Sequence, residues 1–192
     1  MIVEKYLNKI QEGYILSDQT VSIDLEKFEN GESNILLITG IGGSGKSTLG
    51  KKLAKKYNAK YIASDFPCLT DDPYKKDPEK CFRDIYNKIS KTNNRYVLEG
   101  ILIFHSSLDG WKEKLHPFFN KIKNDPIIIL GTSVWKTMYR YRKDIDQPIW
   151  EFIKKFLKFG RYYKEEMGPY IFFKKKREEV EGSIIKPYKA RI

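Results

Sequence analysis

The residues Gly40-Ile41-Gly42-Gly43-Ser44-Gly45-Lys46-Ser47-Thr48 carry the spacing G-x-x-x-x-G-K-[ST] from Gly40 through Ser47, the spacing of a loop that holds phosphate. Glycines let the backbone bend so that successive N–H groups converge on an anion. The helix after the loop adds its unpaired N–H groups and the positive end of its dipole. Lys46 is then placed to reach the β- and γ-phosphates of a nucleoside triphosphate, and the Ser47 hydroxyl to bind Mg²⁺. Gly40, Gly42, Gly43, Ser44, Gly45, Lys46, Ser47 and Thr48 are therefore the expected nucleotide-binding set, with ATP and Mg²⁺ as cofactors. The competing reading is a glycine-rich turn before an ordinary helix. The apolar run before the loop and the helical spacing after it favour phosphate.

Two acids stand where ligands gather in an open α/β sheet, beyond the carboxyl ends of strands. Glu99 follows three apolar residues at such an end and is the expected metal-side carboxylate, paired with Ser47. Otherwise it is a solvated glutamate before a glycine turn. Asp65 ends another strand and opens a long polar connection, the place for a base that accepts an acceptor hydroxyl's proton. The alternative is a turn-capping aspartate. Arg140 and Arg142 could neutralise transition-state charge, although residues at i and i+2 face different ways, so at most one is that arginine. A solvated basic helix is the competing reading. His105 and His116 stand alone and are read as packing or surface residues.

The elements needed to position these groups are legible around them. Ile35-Leu36-Leu37-Ile38-Thr39 is short, apolar and β-branched, as a buried parallel strand is. Leu49, Leu53, Ala54 and Tyr57 recur at helical spacing with lysines opposite. Lys60-Tyr61-Ile62-Ala63 reads as the second parallel strand, followed by a connection over 66–77 that is long for a compact domain. Asp77 caps and Pro78 opens a helix whose buried face is Cys81, Phe82, Ile85, Tyr86 and Ile89. Arg95-Tyr96-Val97-Leu98 is the third strand, and Ile101-Leu102-Ile103-Phe104 continues it or begins the next turn. A helical stretch around Trp111, Leu115 and Ile122 comes next, broken or kinked at Pro117. Ile127-Ile128-Ile129-Leu130 is the fourth strand. Ser133 caps the helix of Arg140 and Arg142, and Asp146-Gln147-Pro148 starts another with Ile149, Phe152, Ile153, Phe156 and Tyr163 on its apolar face. Ser183-Ile184-Ile185-Lys186 is the candidate fifth strand. Upstream, residues 1–16 suit an amphipathic helix, Val21-Ser22-Ile23-Asp24-Leu25 a short antiparallel edge strand, and Asn30-Gly31-Glu32-Ser33-Asn34 a turn. Alternating strands and helices imply an α/β fold, a parallel sheet with helices on both faces. One domain over 1–192 is expected, 1–34 as a prelude and 35–192 as the nucleotide-binding core with lid and basic helices.

A chain of 192 residues that is 41 % hydrophobic and 14 % aromatic can bury a globular core. The apolar runs are too short for a membrane span and the N-terminus has no apolar signal region, so a cytoplasmic protein without membrane contact is expected. Cys68 and Cys81 are the only cysteines; they lack zinc-site spacing, and reduced thiols are the default. The net charge of +11 is uneven: residues 1–34 hold three basic against seven acidic side chains, and the remainder carries +15. Such an excess serves polyanion binding, draws a triphosphate into its cleft, or is a solvated surface.

On three of these stretches the chain resembles the uridine kinase–phosphoribulokinase group of small P-loop kinases. They are Thr39-Gly40-Ile41-Gly42-Gly43-Ser44-Gly45-Lys46-Ser47-Thr48, Ser64-Asp65-Phe66, and Val97-Leu98-Glu99-Gly100-Ile101-Leu102-Ile103. The last is the most telling, because generic phosphate-loop proteins usually end that strand with Asp. The resemblance implies that Asp65 is the catalytic base, that Glu99 assists Mg²⁺, and that the fold is a P-loop NTPase fold with a five-stranded parallel sheet in the order 2-3-1-4-5. Met138-Tyr139-Arg140-Tyr141-Arg142-Lys143-Asp144 looks similar to the group's Arg-rich segment, with Lys143 where an arginine is usual. The group's β-hairpin and nucleoside-reading residues between strands two and three have no counterpart here. The expected activity is transfer of the γ-phosphoryl group of ATP to a hydroxyl of a small metabolite, a nucleoside such as uridine or cytidine. The alternatives are a 5′-hydroxyl polynucleotide kinase or other kinase with a polyanionic acceptor, and an ATP-binding regulatory module without catalysis.

Overall fold

The computed structural model describes residues 20–40, 43–65, 78–100, 103, 108–109, 114–115, 118–132 and 177–188. At its centre is β2 (Ile35–Gly40), buried at every position. It runs parallel to β4 (Tyr96–Glu99) on one side and to β7 (Ile127–Leu130) on the other, with β3 (Lys60–Ala63) parallel beyond β4. Side chains alternate across a strand, so the continuous apolar runs supply both faces at once. Leu36, Ile38, Val97 and Ile128 pack with Leu49, Leu53 and Ala54 of α2 (Lys46–Lys56). Leu37, Leu98, Ile127 and Ile129 pack on the other face with Cys81, Phe82, Tyr86 and Ile89 of α3 (Pro78–Ile89). Each fully buried aliphatic side chain contributes about 1.5–3 kcal/mol, which holds the two helices to opposite faces.

The strand register decides which residues meet at the end of the sheet. Ile38 of β2 and Ala63 of β3 both pair with Glu99 of β4, and Gly40 pairs with Leu130 of β7. The carboxyl ends of these strands therefore finish almost level. The phosphate loop, Ser64-Asp65 and Glu99-Gly100 follow these strands at the carboxyl end of the sheet.

This is a P-loop NTPase fold, and it corrects the expected strand plan. The four strands 60–63, 96–99, 35–40 and 127–130 lie in the expected order, but the sheet has six strands in the order β3-β4-β2-β7-β1-β8 and is mixed. β1 (Val21–Ile23) is inserted next to β7, antiparallel to it, and β8 (Ile185–Pro187) pairs antiparallel with β1. β1 is thus no edge strand: Val21, Ser22 and Ile23 are all buried. β8, the expected fifth parallel strand, takes the edge instead, exposed along its length. Local alternation identifies a strand but not its neighbours, which is why both assignments missed.

Asp24 ends β1 in a left-handed conformation, φ 56°, which aspartate tolerates better than most residues. Its N–H donates to Ile184 O at 2.9 Å, and its Oδ1 accepts from Ile184 N–H at 2.7 Å. Leu25, expected to prolong the strand, instead starts a one-turn helix, α1 (Leu25–Glu29), which buries Phe28 edge-on to Tyr57.

Two further expectations are revised. The stretch read as helical around Leu115 contains an antiparallel pair, β5 (Leu108–Asp109) with β6 (Lys114–Leu115), and a helix only at α4 (Phe119–Ile122). Asp109-Gly110 is a turn signal, and Pro117 removes a helical N–H, so local chemistry overrides the spacing. The reduced thiols expected as the default do not hold either: Cys81 is disulfide-bonded. Cys68 is the one other cysteine of the sequence; spacing along a chain does not reveal whether two thiols meet in space. Among the described residues no helix is long and apolar enough to cross a membrane. The helices expected over 1–16, after Ser133 and after Pro148, and the connection over 66–77, lie outside the described residues.

Candidate nucleotide and metal site

The phosphate loop leaves β2 at Gly40 and enters α2 through Gly45. Gly45 caps the helix with φ 95°, a conformation that costs any residue with a Cβ. Gly40 has φ 149°, and a Cβ there would stand 2.8 Å from Leu130 O and 2.9 Å from Ser44 Oγ. Gly43 also has positive φ. Ser44 is buried and its Oγ has no hydrogen-bond partner. Lys46 is 8 % exposed in the first turn of α2, and Thr48 is exposed on the same turn. A loop of glycines with a buried serine and lysine at a helix N-terminus is an anion cradle.

Beside it, the strand ends are tied together. Thr39 Oγ1 donates to Gly100 O at 2.9 Å, and Gly100 N–H to Ile38 O at 3.1 Å. The Ser64 N–H and hydroxyl both donate to Glu99 O, at 2.8 and 2.9 Å. Asp65 is the next residue, half-buried, and a Cβ on Gly100 would stand 2.5 Å from its Oδ1. Gly100 is what lets the two acids share this corner.

Glu99 is 3 % exposed. Its Oε1 accepts from Ser47 Oγ at 2.9 Å and from the Tyr61 hydroxyl at 2.9 Å. Its Oε2 is buried with no hydrogen-bond partner, and an unpaired buried acceptor costs about 1–3 kcal/mol, more when charged. Burial first, then the facing Glu99 carboxylate, pushes the Tyr61 phenol well above its usual range, so Tyr61 remains a donor.

The structure thus brings together Gly40, Gly43, Ser44, Gly45, Lys46, Ser47, Thr48, Asp65 and Glu99. Gly42, Arg140 and Arg142 lie outside the described residues. Tyr61 and Gly50 were not singled out from sequence. Gly50 makes room for Tyr61, since a Cβ on it would stand 2.7 Å from the ring. Its signal was a glycine inside a helix, normally unfavourable by about 1 kcal/mol, one turn beyond Ser47. Among the described residues no cluster of three or more His, Cys, Asp or Glu could hold a metal. Mg²⁺ carried by a triphosphate needs none, taking one or two carboxylates with phosphates and waters.

The sequence matches the family described as Nephrocystin 3, N-terminal, over residues 15–133, more than half of the 192 residues. The chain belongs to the nephrocystin 3 N-terminal family. The stretch that this nephrocystin 3 N-terminal match covers includes the phosphate loop, Asp65 and Glu99 and ends short of Arg140 and Arg142. No curated protein matches the sequence significantly. Among solved structures the chain is similar to a shikimate kinase from Bacteroides thetaiotaomicron, with 15 % identity and a TM-score of 0.47 over 75 % of this chain and 94 % of that one, too distant to carry roles across. The P-loop fold implied by the motifs is the fold observed; the narrower likeness to uridine kinases is not what the family match carries.

Proposed function

We propose that this chain is an ATP- and Mg²⁺-dependent kinase that transfers the γ-phosphoryl group to a hydroxyl of a small metabolite, a nucleoside such as uridine or cytidine being the first candidate. The observation that supports it most is the Ser47–Glu99 hydrogen bond, which sets a carboxylate with one unpartnered oxygen beside the phosphate loop. That donor set fits Mg²⁺. Ser47 gives its proton to Glu99 and keeps lone pairs for a cation, and Glu99 Oε2 is a hard anionic oxygen for the metal or its water. Ser47 and Glu99 would hold Mg²⁺ there, and the ion would supply positive charge against the phosphates.

The remaining roles fall to the chain. The loop N–H groups and Lys46 hold the phosphates. Asp65 accepts the proton of the acceptor hydroxyl as its oxygen attacks the γ-phosphorus and the bond to the ADP oxygen breaks. Arg140 or Arg142 offsets charge on the moving phosphoryl group.

The test is acceptor-dependent ADP release across nucleosides, sugars and short oligonucleotides. Release with a nucleoside or sugar supports the reading, and release with oligonucleotides alone replaces the acceptor by a polynucleotide 5′-hydroxyl. A second reading is an ATP-binding regulatory module: the family match covers the phosphate loop, Asp65 and Glu99 and stops before Arg140 and Arg142. ATP binding with no acceptor-dependent ADP release would select it.

A further inference from the structure

Glu99 receives two donors on one oxygen. Ser47 and Tyr61 both reach Oε1, each at 2.9 Å, while Oε2 is buried and unpartnered. The terminal torsion of a glutamate is broad when nothing restrains it, so the two bonds together decide which oxygen turns toward the loop. Ser47 restrains the carboxylate from α2 while its lone pairs remain for a cation, and a second donor on the same oxygen adds to that restraint. Tyr61 comes from a different element, the edge strand β3, and the molecule makes room for it. Gly50 of α2 leaves the gap its ring fills, and Lys51 stands 5.9 Å over that ring.

We propose that Tyr61 is a positioning residue for the metal-side carboxylate: it pins Glu99 Oε1 so that Oε2 faces the cation site. The inference rests on the metal-site reading of Ser47 and Glu99 and adds to it a residue that touches neither nucleotide nor metal. Its consequence is expected in the coupling between cation and nucleotide, because the Tyr61 hydroxyl donates to the metal-side carboxylate of Glu99. Loss of such an outer partner typically lowers metal affinity about ten- to a hundredfold.

The experiment titrates ATP into the full chain by calorimetry, once with excess Mg²⁺ and once with EDTA, and reads the ratio of the two dissociation constants. The natural chain is expected to bind more tightly with Mg²⁺. Tyr61→Phe keeps the ring in the Gly50 gap and is expected to cut the ratio about tenfold or more, with the EDTA constant unchanged. Gly50→Ala displaces the ring from the helix side without touching the hydroxyl, and is expected to lower the same ratio. It decides the matter should Tyr61→Phe fold poorly. Glu99→Gln gives the floor. A ratio kept in Tyr61→Phe and in Gly50→Ala but lost in Glu99→Gln overturns the role of Tyr61 and leaves the metal site standing. Equal weakening with and without Mg²⁺ in Tyr61→Phe is a folding effect and also overturns it. A natural chain indifferent to Mg²⁺ overturns the metal-site reading, and the inference with it.

Discussion

Asp65 and Glu99 are neighbours at one corner of the sheet, but they are held differently. Glu99 is nearly sealed and shares an oxygen with two donors, whereas Asp65 is half-buried at the mouth of the next connection. A carboxylate fixed from two sides suits a cation, and a half-buried one at a strand end suits a proton. Asp65→Asn keeps the shape and removes the basicity. It should leave ATP affinity nearly unchanged and lower acceptor-dependent turnover by roughly a hundredfold or more; turnover at the natural level would show that Asp65 is not the base. Far from this corner, Asp125 presents a different kind of buried acid. Burial pushes its carboxyl up to about 6, only partly offset by the Tyr86 hydroxyl on its Oδ2 and by the Arg177 guanidinium. A carboxyl raised in the folded state favours folding while protonated, so that contribution is present below about pH 4 and is lost as pH rises through 6. Asp125→Asn can still accept from Tyr86 but cannot ionise. Between pH 4 and 7 the urea midpoint of the natural chain should fall relative to the Asn variant, by on the order of 2–3 kcal/mol of stability. A pH-independent difference between the two would count against this account.

At the level of elements, the two ends of the described chain are joined through β1 and β8, and Asp24 is the joint. Its main chain and side chain together form two hydrogen bonds with Ile184, and its carboxylate meets Lys27 at 3.3 Å. Asp24→Ala leaves the Ile184 N–H without its acceptor and puts an unsuited residue at φ 56°. The expected cost is about 1–3 kcal/mol in denaturant unfolding, whereas Asp24→Asn, which keeps an acceptor and tolerates that conformation, should lie closer to the natural chain. Equal effects of Ala and Asn would mean that the joint does not matter. None of this was open to sequence reasoning, because alternation at Val21, Ser22 and Ile23 says only that a strand exists. Its partners at 127–129 and 185–187 are more than a hundred residues away, and nothing local encodes that distance. The same limit hid the role of Tyr61. Its place in a strand was legible, but the hydroxyl's partner depends on the β3–β4 register and on a gap in a helix on the sheet's face. By contrast, Asp65 and Glu99 were legible because a strand end is a local feature and open sheets gather ligands there.

For the molecule as a whole, the site is assembled from four elements, three consecutive in the chain and β4 well beyond them. β2 supplies the loop, α2 supplies Lys46 and Ser47, β3 leads to Asp65, and β4 ends at Glu99. Buried polar atoms at their junction, Ser44 Oγ and Glu99 Oε2, have no protein partner. The bare fold therefore carries a cost at the junction of its central strands, and the proposed ligand, supplying phosphate and cation, would remove it if it binds only the folded chain. Ligand present at a hundred times its dissociation constant stabilises such a fold by about 2.7 kcal/mol, and for a chain of this size each kcal/mol raises the melting temperature by about 2–4 °C. ATP with Mg²⁺ should accordingly raise it by roughly 5–11 °C, and ATP with EDTA by less. Lys46→Ala, which removes the buried cation of the cradle, should lose most of that rise. A melting temperature in the natural chain that ignores ATP and Mg²⁺ at saturating concentration would remove nucleotide binding, and every role assigned to these four elements would fall with it.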